Sequence, residues 1–180
     1  MFATDEIHAP AGVDMAFDGV AASILGGGLP AGAEMHLKEA GASYHQDDIA
    51  ETHLLAALDL APDHPAALIS LYRFYFYKGR LPEALNVARM CLATAARELR
   101  LAGGWRDARP GDADFGSYSA ILPRFFMFSL KGYAYLQMRT GAIDEGRAAV
   151  GQLLALDPSD KINAGLLVSV ADRLGADDDD

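Results

Sequence analysis

The chain has 180 residues and a net charge of −10; 51% of its residues are hydrophobic, 22% are charged, and one is a cysteine. That length suits a single domain with a sizeable core, and the composition excludes a disordered chain. One cysteine excludes an internal disulfide and a thiolate zinc cluster. No apolar run reaches the roughly 18 residues of a membrane span, and the first residues lack a secretory signal, so we expect a cytoplasmic protein without a membrane partner.

The net charge hides a segregation along the chain. Residues 1–63 contain eleven acids and one base, residues 64–139 eleven bases and five acids, and residues 140–180 nine acids and three bases. Two interpretations stay open: the basic helices pair with acidic neighbours in the fold, or they attract an acidic partner. Nucleic-acid binding is disfavoured because the chain as a whole is acidic.

The predicted elements are helices throughout. Residues 1–30 form an N-terminal segment, with one amphipathic stretch over residues 13–25 and a glycine linker at residues 26–28. From residue 31 onward, apolar residues recur at helical spacing and proline or glycine separates the periods. We predict an all-α domain over residues 31–174, then an acidic tail over residues 175–180. The predicted helices cover residues 31–44, 47–60, 65–78, 81–101, 119–139 (regular from Pro123), 142–156 and 160–174.

The helices recur as pairs. An offset of 34 residues aligns residues 31–64 with residues 65–98, and a third pair at residues 127–160 follows an insertion at about 99–126. Each pair has a small residue early in its second helix, which lets two helices approach closely. Glycine stands at two of the turns between paired helices, where it supplies a positive φ. The small residues are Ala50, Ala84 and Gly146, and the turn glycines are Gly79 and Gly141.

This pattern resembles the tetratricopeptide repeat (TPR) family, most strongly over residues 65–85. The resemblance implies an α-α superhelix of helical hairpins with a C-terminal closing helix, for which residues 161–174 are suited. The stretch at residues 64–80 is also similar to small bacterial TPR proteins found near nitrogen-fixation gene clusters.

The resemblance further implies a concave groove, lined by the first helix of each pair, that binds peptides. Six positions combine aromatic and basic side chains, which suits a peptide with acidic and apolar residues. The alternative is that the aromatic residues are core. The six predicted contacts are Arg73, Phe76, Tyr77, Lys131, Tyr135 and Arg139. The remaining predicted groove positions are Met35, His36, Glu39, Ile69, Ser70, Phe128 and Met138.

The family's carboxylate clamp for chaperone tails is missing, because Met35, Glu39 and Ser70 stand where it needs Lys and Asn. The insertion contains the single tryptophan, Trp105, which either covers the groove or packs against the second helix of the second pair.

No other motif carries chemistry. The five histidines have no metal-ligand spacing, Cys91 stands at a small buried position, and no nucleophile has a recognisable context. We therefore expect a noncatalytic adaptor, with no cofactor or metal, that binds a protein or peptide. The alternative is a self-associating structural protein such as a homodimer.

Overall fold

The computed structural model describes residues 27–117 and 119–177. Within these ranges the chain forms seven α-helices and no strand, which confirms the all-α fold class. The predicted helix over residues 13–25 and the last residues of the acidic tail lie outside them. The helices are α1 (Ala31–Ala42), α2 (Asp47–Leu60), α3 (Pro65–Tyr77), α4 (Leu81–Glu98), α5 (Ile121–Arg139), α6 (Ile143–Leu156) and α7 (Leu166–Asp177).

Consecutive helices pack as hairpins. The pairs α1–α2, α3–α4 and α5–α6 are joined by short turns, and α4 also packs along α5, while α7 packs on α5 and α6. The result is an all-α helical-repeat arrangement closed by a C-terminal helix.

The predicted small positions are where paired helices approach. Ala50 and Ala84 are fully buried. Gly146 of α6 is closer still to its partner, because a Cβ there would lie 2.7 Å from the Ala134 carbonyl oxygen. Small side chains at these positions set the distance between the helices of each hairpin.

The two turn glycines have the predicted conformation. Gly79 has φ +69° and Gly141 has φ +94°. After Gly79, the Arg80 amide donates to the Tyr75 carbonyl at 2.9 Å, which satisfies a carbonyl at the end of α3.

The core is centred on α5. Every residue from 125 to 138 is buried, so this helix is enclosed on all sides. The first hairpin contrasts with it, since a small separate cluster there consists of the alanines Ala33, Ala57 and Ala61. Apolar burial is therefore concentrated in the second and third hairpins.

Ion pairs join the acidic first third of the chain to its basic middle. This supports the interpretation that basic helices pair with acidic neighbours in the fold. The pairs are Lys78–Asp47 at 2.7 Å, Arg80–Glu51 at 2.6 Å and Arg97–Asp63 at 3.0 Å.

The insertion between α4 and α5 packs onto the third hairpin. The Trp105 ring lies 5.9 Å from that of Tyr133 on α5, and the 3₁₀ turn Trp105–Asp107 lies against α6. The Ala108 carbonyl accepts a hydrogen bond from Gln152 of α6 at 2.6 Å. Trp105 is thus a packing residue, although against the third hairpin rather than the expected second.

The closing helix begins six residues later than predicted. Asp160 and Asn163 both have positive φ, at +49° and +57°, which interrupts a helix. The Asp160 carboxylate instead accepts from the amides of Ala164 and Gly165 at 2.6 and 2.9 Å. The segment before α7 is therefore an ordered loop held by its own polar contacts.

None of the helices in the described ranges is both long enough and apolar enough to cross a membrane.

Candidate functional site

A groove lies between α1 and α3, on the first-helix side of the first two hairpins. It encloses about 450 Å³. Its lining is largely apolar, with one guanidinium and two phenol rings. The residues that line it are Leu37, Ala40, Gly41, Tyr44, Leu54, Ser70, Arg73, Phe74 and Tyr77.

Arg73 and Tyr77 are the predicted contact residues that the groove contains. They are four residues apart on α3 and therefore share one helix face. The Arg73 guanidinium carbon lies 5.8 Å from the centroid of the Tyr77 ring. Tyr77 is 45% exposed, so its ring is accessible at the surface. Arg73 and Tyr77 therefore place a cationic group and an aromatic ring next to each other on the α3 side of the groove.

Tyr44 lines the groove beside Phe74, and Lys78 contacts the Tyr44 ring from outside the lining. The Tyr44 ring meets Phe74 edge to face at 6.2 Å, and the Lys78 ammonium lies 4.3 Å from the Tyr44 ring centroid. Lys78 also pairs with Asp47 at 2.7 Å, so its ammonium is held beside the Tyr44 ring by contacts within the chain.

Three of the six predicted contact residues are buried. Phe76 is 6% exposed and Tyr135 is 1% exposed, and their rings lie 5.8 Å apart in the contact between α3 and α5. Lys131 is 2% exposed, and its ammonium donates to the Ile162 carbonyl at 2.6 Å. Burial lowers the pKa of Lys131. These three side chains connect parts of the fold and present no surface to a partner.

Arg139 lies at the end of α5, partly exposed. Its guanidinium donates to the Tyr135 hydroxyl at 2.9 Å. The six predicted residues therefore divide into the groove pair Arg73 and Tyr77, a buried set, and Arg139 outside the groove lining.

On α1, the groove is lined by residues other than those predicted. The expected Met35, His36 and Glu39 are absent from the lining, which comes from Leu37, Ala40 and Gly41 of α1 and from Tyr44 in the turn after it. The face of α1 that is turned toward α3 carries Leu37, Ala40 and Gly41, whereas Met35 and Glu39 are exposed outside the lining. The apolar spacing of Ala33, Leu37, Ala40 and Tyr44 was the available signal.

The cysteine and the possible metal ligands of the described residues do not form a further reactive site. Burial raises the pKa of the Cys91 thiol to about 12, so this thiol is unreactive at neutral pH. In the described part of the chain, no group of three or more His, Cys, Asp or Glu side chains is placed to hold a metal ion. The sequence did not predict one contact between histidines: His36 of α1 lies against His53 of α2.

Comparison with known proteins provides one relative. The chain is 35% identical over 130 residues to a protein of Azotobacter chroococcum mcd 1, described as an uncharacterized 19.8 kDa protein in the nifW 5′ region. The match covers 72% of this chain and 73% of that protein. No family model and no solved structure matches.

Proposed function

Because the chain belongs to the family of this Azotobacter protein, and because its helical hairpins recur along the sequence, we propose that it is a small TPR-type adaptor. In this role it binds a segment of another protein and carries out no reaction itself. The relative is encoded in the nifW 5′ region. We therefore propose that the partner belongs to the nitrogen-fixation system of its host.

The groove between α1 and α3 is the observation that carries this proposal. A volume of about 450 Å³ lies within the range of ligand sites, and it holds a few apolar side chains of a bound peptide. The apolar walls favour burial of such side chains.

Arg73 determines the chemistry of the proposed peptide. A guanidinium donates two parallel hydrogen bonds to a carboxylate, and the neighbouring Tyr77 ring offers contact area that is already exposed. We propose that the bound segment places an Asp or Glu at Arg73 and an apolar residue between Tyr44 and Tyr77. Arginine and tyrosine are also the residues that carry much of the energy in protein interfaces.

A displayed random peptide library, selected on the purified protein, tests the groove. We expect enriched peptides that combine an acidic residue with apolar neighbours. Arg73→Glu and Tyr77→Ala should each weaken binding of the enriched peptides by at least about tenfold, as expected for central interface residues. Arg89→Glu is the matched control, because Arg89 is an exposed arginine of α4 outside the groove lining.

Equal binding by the wild type, R73E and Y77A would refute the groove proposal, as would a selection that enriches nothing. Charge reversal at Lys131 is unsuitable as a test, because this buried side chain contributes to the fold. Circular dichroism of each variant establishes that helical content is retained.

Self-association is the second candidate function. It is favoured by large apolar side chains that the first hairpin leaves exposed, including Met35 at 53%, Ile49 at 45% and Leu60 at 51%. Sedimentation of the full chain at tens of micromolar would show a dimer that Met35→Glu with Leu60→Glu dissociates. A monomer at that concentration eliminates this candidate.

A further inference from the structure

The first hairpin brings two imidazole rings into direct contact. His36 of α1 and His53 of α2 are 17 positions apart, and their Nδ1 atoms lie 2.9 Å from each other. The ring centroids are 5.2 Å apart and the ring planes are inclined at 39°. Both residues are partly buried, so water and small ions reach the pair while the two helices hold it.

The distance between the two nitrogens is that of a hydrogen bond. One Nδ1 carries a proton and donates it, and the other accepts through its lone pair. Without that proton, both Nδ1 atoms offer lone pairs in the same small region between the helices. Two convergent imidazole lone pairs are also a ligand arrangement for transition metals.

The spacing matches one coordination geometry better than others. With metal–nitrogen bonds of about 2.0 Å, two ligands at a right angle have nitrogens about 2.8 Å apart, whereas tetrahedral ligands are about 3.3 Å apart. The 2.9 Å between the two Nδ1 atoms is the length of a hydrogen bond, and the same separation accommodates two ligands at a right angle. That arrangement is typical of square-planar or tetragonal Cu(II) and Ni(II), whereas Zn(II) prefers a tetrahedron.

We propose that His36 and His53 form a two-histidine site for Cu(II) or Ni(II). The metal lies off the line that joins the two Nδ1 atoms, about 2.0 Å from each of them, and water fills its remaining positions. The donor ring then releases its Nδ1 proton to solvent and takes up a proton at Nε2, so metal binding at Nδ1 leaves the number of protons on that ring unchanged. The ring torsion of histidine is broad, which permits both lone pairs to turn toward one ion.

The site is separate from the groove. Neither histidine lines the groove, although α1 contributes to both. A metal bound here links α1 to α2 in the hairpin that contains the alanine cluster Ala33, Ala57 and Ala61. Metal binding is therefore expected to stabilise the first hairpin, because it favours only the folded arrangement of the two rings.

Titration of the full chain with Cu(II), followed by electron paramagnetic resonance, tests the site. We expect the wild type to bind one Cu(II) with two nitrogen ligands from imidazole, and to bind Zn(II) more weakly, in line with the general order of affinities. His36→Gln and His53→Gln should each weaken Cu(II) binding by at least about tenfold, because the second ligand otherwise binds at high effective concentration.

His45→Gln is the matched control, since His45 is an exposed histidine in the turn between the same two helices. The double variant H36Q/H53Q measures background binding by the chain terminus and the other histidines. Cu(II) should also raise the thermal unfolding midpoint of the wild type and of H45Q but leave that of the double variant unchanged. Retention of wild-type affinity by the double variant, or loss of affinity in H45Q alone, would overturn the proposal.

Discussion

Glu51 of α2 accepts hydrogen bonds from two residues of the second hairpin. Its carboxylate oxygens accept from Arg80 at 2.6 and 3.1 Å and from the Tyr75 hydroxyl at 2.7 Å. The hydrogen bonds from Arg80 lower the pKa of Glu51, against the opposing effect of burial. Burial, together with the bond to Glu51, raises the pKa of Tyr75 to about 12. The Glu51 carboxylate therefore provides a main polar contact between the first hairpin and the second.

We predict that Glu51→Gln lowers the free energy of unfolding by about 1 kcal/mol at pH 7, a value reduced for exposure of the pair to water. Urea unfolding measures it. Glu98→Gln is the control, because Glu98 is exposed and lies 3.9 Å from its arginine partner. An equal effect of both substitutions would contradict the assigned role of Glu51.

The pH dependence of this contribution has a definite sign. Because the folded-state pKa lies below the ordinary value of 4.5, the stabilisation by Glu51 is complete above that value and is lost as the pH falls through the folded-state pKa. The wild type should therefore lose more stability than E51Q between about pH 5 and pH 3. Unfolding curves of both proteins across this range test the prediction, and parallel curves would contradict it.

Arg100 ends α4 in the left-handed conformation, with φ +56°. Glycine adopts this conformation without steric cost, so Arg100→Gly should stabilise the protein by about 0.5–1 kcal/mol. Arg97→Gly lies within the last regular turn of the same helix and should instead destabilise by about 1 kcal/mol. Thermal or urea unfolding of the two variants should show shifts of opposite sign.

At the scale of elements, the third hairpin depends on close contact between α5 and α6. A Cβ at Gly146 would lie 2.4 Å from the Met138 Cγ atom as well as 2.7 Å from the Ala134 carbonyl. Backbone cannot move aside as a flexible side chain can, so the added methyl must displace one helix from the other.

We predict that Gly146→Ala destabilises the protein by about 1–3 kcal/mol. Gly151→Ala is the control in the same helix, because nothing lies within 4 Å of the position of its Cβ. There the gain in helix propensity should stabilise by about 0.5–1 kcal/mol. Urea unfolding distinguishes the two results, and two shifts of the same sign would show that close packing at Gly146 has no special cost.

For the whole molecule, stability is expected to be unequal along the array of hairpins. The first hairpin has a separate alanine cluster and contributes only Ala40, Ala50 and Leu54 to the buried main core, whereas α5 is enclosed on all sides. Local opening requires less free energy where little apolar surface is buried.

Amide hydrogen exchange should therefore show the fastest exchange among helical amides in α1 and α2, and the slowest in α5. Cu(II) should slow exchange in α1 and α2 of the wild type if it binds at His36 and His53. Uniform protection across all seven helices would contradict the expected gradient.

Much of the fold could be predicted from local signals. The bounds of α2 and α6 follow from proline, glycine and apolar spacing to within one residue, because these signals act within one or two turns. The late start of α7 could not be predicted in this way. It depends on the left-handed backbone at Asp160 and Asn163, which contacts within the loop stabilise.

The sequence predicted two residues of the groove, but it did not separate them from buried residues of the same helices. The spacing of Arg73 and Tyr77 places them on one face of α3, and the groove contains both. The same spacing argument does not distinguish them from Phe76, Lys131 and Tyr135. These three residues also lie in largely apolar helices, but their side chains are buried inside the protein. Which face of a helix meets another helix depends on the packing of the whole array.

Local sequence patterns were enough to predict an all-α protein of paired helices, because helix periods, turn glycines and small packing residues are properties of neighbouring positions. The folded arrangement was needed to identify which basic residues pair with acids, which line the groove, and that His36 meets His53. Those contacts depend on distances between side chains on different helices. Burial and charge pairing are set by the assembled array, because each helix face either meets a neighbour or meets water.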